Sequence, residues 1–452
     1  MKKVLQTLIL LLISLSSYQT FATHLMGGDI TYELVTAPNI YKVHLTLYRD
    51  CSGIVPVTNP VIQVKQYGTQ NIYTQIVLNM SAAPLNVTNL CPSAISSSTC
   101  NGGSLMSMEK WEFETTTGLP FGNGIDLSLE YVDCCRNCAI TNLISPCNYG
   151  WTIRTRMKIG TAIIDNSPKF TIPPVMVVSA NQVSNISWNA TDVDGDSLSY
   201  HLVSPLDDYG NPVLYNVPCS YIEPFVAITP THLDSTRGIL TVNPNGIQIT
   251  VVTIQCDEFR NDTLIGSIMR DVQVITVAQS NQPPFITGIN GTNQYSINTC
   301  PGVPVSFGIT GFDPDTTSQQ VSITWNGGID SAQFVGDTAL VYAFATFAWT
   351  PDSNDVSAQP HVFTVTVSDD NCPYQAVQVY AFQVYVNQCN TDTVWPGDAN
   401  ADYAVDVYDI LPIGIAYGNT GWVRPAATTA WIGQPCADWN DTLVNGINYK
   451  HS

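Results

Sequence analysis

The sequence predicts a mostly β protein: tandem immunoglobulin-like β-sandwiches followed by a small C-terminal α-helical segment. Segments such as YKVHLTL at residues 41–47 and FTVTVS at residues 363–368 alternate apolar and polar side chains, which is typical of half-buried strands. Thr, Val, Ile and Tyr are abundant, and Asn, Gly, Pro and Asp interrupt the runs at short intervals. Helical periodicity occurs only after residue 406. At 452 residues the chain is too long for one hydrophobic core, so several domains are expected.

An internal repeat divides the middle of the chain. The acidic motif DVDGD at residues 192–196 precedes a strand-like run, and so does DPD at residues 313–315. The two motifs begin 121 residues apart, which is about the length of one sandwich domain. We therefore predict two tandem sandwiches, at residues 166–281 and 282–391.

These two units resemble the cadherin-like and PKD-like immunoglobulin-fold repeats of bacterial surface proteins. The phrases that carry the resemblance are TDVDGDSLSY at 191–200, FAWTP at 347–351 and HVFTVTVSDDNCP at 361–373. The resemblance implies a fold and an extracellular location, but no activity.

Residues 23–165 are predicted to form a separate, cysteine-rich β domain. Its HLMGGDITYEL at 24–34 and CCRNCAITN at 134–142 resemble the N-terminal module of large exported proteins of Bacteroidetes-type bacteria. That resemblance implies no chemistry that could be assigned to particular residues.

Residues 1–22 have the pattern of a secretory signal peptide. They begin with two lysines, continue with an apolar run too short to span a bilayer, and end in a small residue. No later segment is long and apolar enough to predict a membrane helix. We therefore expect a secreted protein that is extracellular or attached to the cell surface.

The thirteen cysteines suit that compartment, because an exported chain can keep disulfides. A zinc site at Cys135 and Cys138 is disfavoured, since a second cysteine pair at the right spacing is missing. Within the sandwiches, candidate disulfide pairs are Cys219 with Cys256, and Cys300 with Cys372 or Cys389. An odd total leaves one thiol unpaired or paired outside the chain.

The charge distribution is strongly acidic. The net charge is −20, and from Asp271 to Val423, both included, the chain has fourteen Asp but no Lys or Arg. Such a surface repels nucleic acid and anionic lipid, so neither is an expected partner. Carboxylates without basic partners need either water or a cation, and clustered carboxylates favour a cation.

The densest acidic cluster lies near the C-terminal end, in WPGDANADYAVDVYDILPIGIAYG at residues 395–418. Oxygen-bearing groups stand at positions 1, 3, 5, 7, 9 and 12 of a loop, which is the ligand spacing of an EF-hand-type calcium site. The predicted ligands are Asp398, Asn400, Asp402, Ala404 through its carbonyl oxygen, Asp406 and Asp409. The alternative is a solvated turn rich in Asp and Asn.

This stretch resembles one calcium repeat of a dockerin module, so residues 392–452 are predicted to be a partial, dockerin-like calcium-binding module. Position 6 of the loop, usually Gly, is Tyr403, which should weaken the site. Dockerins carry two such loops and only one is present here. We therefore expect the natural chain to continue past residue 452.

A second candidate calcium site consists of Asp192, Asp194 and Asp196. Alternate carboxylates on one loop can share a cation, although Asp-Gly-Asp is also ordinary turn chemistry. Asp313 and Asp315 offer only two acids and are a weaker candidate. Calcium at these loops would stiffen the sandwiches and would not catalyse a reaction.

Two functions fit these observations, and no enzyme motif supports a third. The six histidines are scattered, and nucleophile elbows, phosphate loops and dinucleotide fingerprints are lacking. We predict a non-catalytic, calcium-stiffened surface protein that serves adhesion or scaffolding and binds protein or glycan ligands. The alternative is the accessory part of a secreted polysaccharide-degrading enzyme, docked to a cohesin-like partner through the C-terminal module.

Overall fold

The computed structural model describes residues 25–387 and the single residues Val407 and Ile410. Within the first range it leaves out residues 38, 120–121, 123, 161–163, 175–176, 316–318, 337–340 and 358. The described chain is mostly strand, which confirms the predicted β class. Among its residues, no helix has the length and apolar character that crossing a membrane requires.

Nine strands form the N-terminal region. They are β1 Leu25–Thr36, β2 Ile40–Asp50, β3 Val61–Gln66, β4 Ile72–Val77, β5 Asn79–Met80, β6 Leu85–Asn86, β7 Met108–Gly118, β8 Ile125–Asp133 and β9 Trp151–Ile159. Short 3-10 helices occur at Ile95–Ser97, Thr99–Asn101 and Pro146–Asn148. Strand β2 shows why the alternating pattern works: Tyr41, Val43, Leu45 and Leu47 are fully buried, while the residues between them are half-buried.

Nine more strands follow in the second region. They are β10 Lys169–Phe170, β11 Val177–Ser179, β12 Ser184–Ser187, β13 Ala190–Thr191, β14 Ser197–Leu202, β15 His232–Asp234, β16 Ile239–Val242, β17 Gln248–Arg260 and β18 Thr263–Val277. Strands β10 and β13 pair with each other, and β12, β16 and β15 form a small sheet. Trp188 is fully buried in the core of this region, with Phe225 and Leu240 in the same cluster.

One large sheet joins these two regions. Its thirteen strands include the path β4-β3-β8-β9-β18-β1-β2-β7-β5, with β11, β14, β17 and β6 attached beside it. Strand β18 is central, because it pairs with β17 and β11 of its own region and with β1 and β9 of the N-terminal region. The sheet therefore runs across the predicted boundary between residues 165 and 166. Sequence periodicity identifies strands but contains no information on such distant partners.

The third region carries two four-stranded sheets. Its strands are β19 Phe285–Ile286, β20 Ser296–Thr299, β21 Val305–Phe312, β22 Ser322–Trp325, β23 Gln333–Gly336, β24 Tyr342–Trp349, β25 His361–Ser368 and β26 Val377–Val386, with a 3-10 helix at Ile289–Gly291. The orders are β19-β21-β24-β23 and β20-β26-β25-β22. The ring of Phe363 on β25 stacks on Phe347 of β24 at 4.4 Å and on Phe382 of β26 at 5.3 Å, so aromatic side chains of the two sheets share one core.

The chain divides into two compact units. Of the described residues, the first comprises those in 25–296, 307–347 and 361–383, and the second those in 297–306, 348–360 and 384–387 with Val407 and Ile410. In the second unit, the amide of Gly302 donates to the carbonyl of Pro351 at 2.8 Å. A 3-10 helix at Ser353–Asp355 is capped by Asp352. The side chains of the acidic clusters at Asp192 and Asp313, described below, belong to the first unit.

The disulfides confirm the predicted covalent cross-linking but correct its pairing. The bonds are Cys51–Cys100, Cys91–Cys372, Cys134–Cys135 and Cys138–Cys147, and Cys300 is also in a disulfide. Cys219 and Cys256 carry free thiols, so the prediction that they pair was wrong, and so was Cys300 with Cys372.

Cys372 pairs with Cys91 instead of Cys300 because two distant parts of the chain are in contact. Residues 89–91 lie beside residues 373–375: the Cys91 amide donates to Pro373, and the Gln375 amide donates to Asn89. The prediction assumed that cysteines close in sequence pair within one domain, and this contact brings Cys372 to Cys91 instead.

Candidate calcium site

The loop of residues 192–196 connects β13 to β14 and is folded by its own first carboxylate. Asp192 Oδ1 accepts hydrogen bonds from the backbone amides of Asp194 and Asp196, both at 2.9 Å. Gly195 has φ of 79°, a left-handed conformation that glycine adopts without strain. The local sequence thus gathers three carboxylates on one tight turn.

Two further acids approach this turn from distant parts of the chain. One carboxylate oxygen from each of Asp192, Asp196 and Glu258 lies within 4.8 Å of the others, and the same holds for Asp165, Asp194 and Asp196. The structure therefore separates the three predicted ligands: Asp192 and Asp196 meet Glu258, whereas Asp194 faces Asp165.

Glu258 is brought to the turn by strand pairing. It lies opposite Leu198 in the β14–β17 ladder, next to a register shift that falls between Glu258 and Phe259. Gly266 on β18 leaves room for its carboxylate, because a Cβ at residue 266 would lie only 2.5 Å from Glu258 Oε2. The close approach explains why this position suits glycine.

Arg260 neutralises the trio formed by Asp165, Asp194 and Asp196. Its guanidinium forms an ion pair with Asp165 at 2.9 Å, and its Nε donates to Asp196 Oδ1 at 2.8 Å. Tyr32 of β1 donates its hydroxyl proton to Asp165 Oδ2 at 2.8 Å. This half of the cluster therefore already has a positive charge and hydrogen-bond donors.

Asp192 and Glu258, in the other half, form no ion pair with a described basic side chain. Glu258 is 0% exposed. Neither of its carboxylate oxygens accepts a hydrogen bond from a described donor, and Asp192 Oδ2 accepts none either. Burial raises the pKa of Glu258 far above its usual range, and the charge of Asp165 adds to the effect. Burial also raises the pKa of Asp192. Two carboxylates with buried oxygens that lie within 4.8 Å of each other require either a shared proton or a cation between them.

A divalent cation fits the donor set of Asp192, Asp196 and Glu258. Calcium takes carboxylate oxygens, uses six to eight oxygens in flexible geometry, and would satisfy the three unpartnered oxygens. The sequence pattern found Asp192 and Asp196 but missed Glu258 and Asp165. A signal existed, because the strand from residue 254 ends in Asp257-Glu258, much as the strand from residue 363 ends in Asp369-Asp370.

The predicted C-terminal site cannot be compared in this way. Its ligands Asp398, Asn400, Asp402, Ala404, Asp406 and Asp409 lie outside the described residues, as do residues 1–22. The C-terminal calcium loop and the signal peptide stay predictions.

The cluster predicts an unusual pH dependence in the absence of calcium. Burial raises the pKa of Asp165 to about 7, so the folded chain holds this proton more tightly than the unfolded chain. The resulting stabilisation is complete at about pH 4 and is lost as the pH rises through about 7. In EDTA, the urea midpoint of the wild-type chain should therefore fall between about pH 5 and about pH 8.

The control for this prediction is Asp165→Asn, which removes the titrating group but keeps an oxygen that can accept from Tyr32. The variant should show a smaller decrease than the wild-type chain over the same pH range. Equal decreases would show that Asp165 is not the source.

Comparisons with known proteins give no identity. No known family model and no curated protein matches the chain. Among solved structures it is similar to a titin Ig tandem pair, at 7% identity over 47% of this chain and 92% of that one with a TM-score of 0.17. It is also similar to extracellular domains 3–5 of Drosophila OTK, at 10% identity over 78% of this chain and 97% of that one with a TM-score of 0.15. With such low TM-scores these likenesses carry no argument, and the β assignment depends on the strands themselves.

Proposed function

We propose that this protein is a non-catalytic extracellular or cell-surface protein, in which calcium stiffens an array of β-sandwiches that serves adhesion or scaffolding. The observation that carries the proposal is the trio of Asp192, Asp196 and Glu258, in which the unpartnered oxygens of Asp192 and Glu258 suit a hard cation. Disulfides across the described chain favour an oxidising, extracellular compartment.

Calcium at this trio would act mechanically. The ion would tie the turn between β13 and β14 to the end of β17, so that neither could move alone. Through Asp196 and Arg260 the site is connected to Asp165, and through Asp165 to Tyr32 on β1. A bound ion would therefore stiffen the second region and its attachment to the N-terminal region.

The predicted loop beginning at Asp398 would add a separate calcium site near the C-terminal end. By its resemblance to a dockerin repeat, it would also supply a docking contact for a cohesin-like module. The ligands of the sandwiches themselves would be proteins or glycans at the cell surface.

Calorimetric titration of the chain from residue 23 onward with CaCl₂ tests the proposal. We expect Asp192→Ala to remove one binding event and Asp398→Ala to remove another. Free calcium at about 100 times its dissociation constant should stabilise the fold by about 2.7 kcal/mol per site and raise the melting temperature.

The control is Asp262→Asn, which removes one exposed acid from a turn whose positive φ Asn tolerates. It should leave both events unchanged. A melting temperature that is the same in EDTA and in millimolar CaCl₂ would overturn the proposal.

A further inference from the structure

The third region repeats the construction of the calcium site just described. Asp313 Oδ1 accepts a hydrogen bond from the amide of Asp315 at 2.6 Å, as Asp192 Oδ1 accepts one from the amide of Asp194 at 2.9 Å. In both turns the first carboxylate folds the loop with one oxygen and leaves Oδ2 buried without a described hydrogen-bond donor.

The segment that enters each sandwich is fastened in the same way. The amide of Gln282 donates to Asp315 Oδ2 at 2.8 Å, and its side chain donates to Oδ1 at 3.2 Å. Asn166 makes the corresponding pair of bonds to Asp194, at 2.6 and 3.0 Å. The sequence repeat is thus also a repeat of hydrogen-bond geometry.

A third acid completes the set. Asp369 directly follows β25, as Glu258 stands near the end of β17. Asp369 is buried, and Asn281 donates to its Oδ2 at 2.6 Å. Gln319 in turn donates to Asn281 Oδ1 at 2.5 Å, so acids and amides form one network.

Asp313 lies near this network, because its charge contributes to the raised pKa of Asp369. Two oxygens, one of Asp313 and one of the network, have no hydrogen-bond donor among the described residues. They are Oδ2 of Asp313, a residue that is 1% exposed, and Oε1 of Gln319. A buried acceptor without a donor is destabilising, and a bound cation would satisfy it. Burial raises the pKa of Asp313 and raises that of Asp369 to about 6, as expected for carboxylates that lack a compensating charge.

The sandwich at residues 282–391 has no basic side chain of its own for this purpose. The sequence contains no Lys or Arg between Asp271 and Val423. In the second region, Arg260 neutralises part of the negative charge by ion pairs with Asp165 and Asp196, and residues 282–391 contain no arginine that could do the same. The buried carboxylates of this sandwich can therefore be compensated by a proton at low pH or by a metal ion at neutral pH.

We propose that the third region holds a second divalent-cation site formed by Asp313, Asp369 and the amide oxygen of Gln319. Carboxylate and amide oxygens are ligands that calcium accepts. The site has two carboxylates where the first has three, Asp192, Asp196 and Glu258, and affinity depends on ligand charge. It therefore binds calcium more weakly than the first site, by about tenfold or more. This site consists of different residues from the trio of the proposed function, so either site can be absent while the other binds calcium.

The test is calorimetric titration of the chain from residue 23 onward with CaCl₂, in wild-type and Asp313→Asn forms. Asparagine keeps an oxygen for the amide of Asp315 and removes the charge. We expect the variant to lose one weak binding event and to keep the event that depends on Asp192. Its melting temperature in EDTA should not fall, because an uncompensated buried charge is removed, and this measurement excludes misfolding as the cause.

A second variant is expected to strengthen calcium binding at this site instead of abolishing it. Asn281→Asp introduces a third carboxylate beside Asp369 and should tighten the weak event by about tenfold, while lowering the melting temperature in EDTA. Asp330→Asn is the matched control, since it removes an exposed acid from the same sandwich and should change neither quantity.

The outcomes separate the two proposals. If Asp313→Asn keeps every binding event while Asp192→Ala loses one, the second site is refuted and the first stands. If Asp313→Asn loses a binding event and Asp192→Ala does not, the first site is refuted and the second stands. Unchanged affinity in Asn281→Asp also refutes the second site.

Discussion

Replacing both Cys91 and Cys372 by serine is expected to lower the free energy of unfolding by about 5 kcal/mol, the largest effect we predict for any disulfide in the described chain. The bond closes a loop across a sequence separation of 281 residues. Its loss would give the unfolded chain far more conformations, and the entropy of those conformations opposes folding. Urea denaturation of the double variant and the wild-type chain measures the difference.

The matched control is the pair Cys138 and Cys147, which are nine residues apart. The same chain-entropy argument gives about 2.5 kcal/mol for its replacement by serine, so the first variant should be roughly twice as destabilised. Equal losses would mean that loop length does not control the effect. A smaller loss for the Cys91 and Cys372 variant would mean that the hydrogen bonds between residues 89–91 and 373–375 hold the contact without the covalent bond.

Arg136→Met is expected to cost about 3–5 kcal/mol, because it leaves a buried carboxylate without its partner. Arg136 is 3% exposed and Asp271 is 1% exposed. The guanidinium donates to both oxygens of Asp271, at 2.8 and 3.3 Å, and to the carbonyl of Leu206 at 3.0 Å. Because Asp271 lies on the central strand β18, the charge cannot reach water without disturbing the large sheet.

Two comparisons sharpen this prediction. The double variant Arg136→Met with Asp271→Leu removes both charges and should recover much of the loss, because a buried ion pair is worth little more than apolar side chains of similar size. Arg237→Met breaks a pair with Asp234 in which the arginine side chain is 37% exposed, and should cost about 0–1 kcal/mol. If the Arg136 and Arg237 variants lost the same free energy of unfolding, burial would not be the deciding factor.

The local parts of the fold could be predicted from the sequence. Strand β2 and strand β25 follow alternating patterns whose period depends only on neighbouring residues, and both occur as predicted. The turn at Asp192 could be predicted for the same reason, since its hydrogen bonds stay within five residues.

The contacts between distant parts of the chain could not be predicted from the sequence. Glu258 reaches Asp192 only because β17 pairs with β14, and Cys372 reaches Cys91 across most of the chain. One sequence contains no signal for such pairings, because side-chain period determines which face of a strand is buried but not which strand lies beside it. For the candidate site, the sequence therefore supplied the turn and missed the acid that completes it.

The bond between Cys91 and Cys372 also determines how the chain would carry tension. A pull applied at residue 25 and at residue 383 would pass along residues 25–91, cross from sulfur to sulfur, and leave through residues 372–383. The intervening residues, with both acidic turns among them, lie outside this covalent path, so the two ends cannot be separated by extending them while that bond is intact. After its reduction, unfolding of the intervening residues would add about 900–1,000 Å, the extended length of 281 residues, and would turn a short tether into a long one.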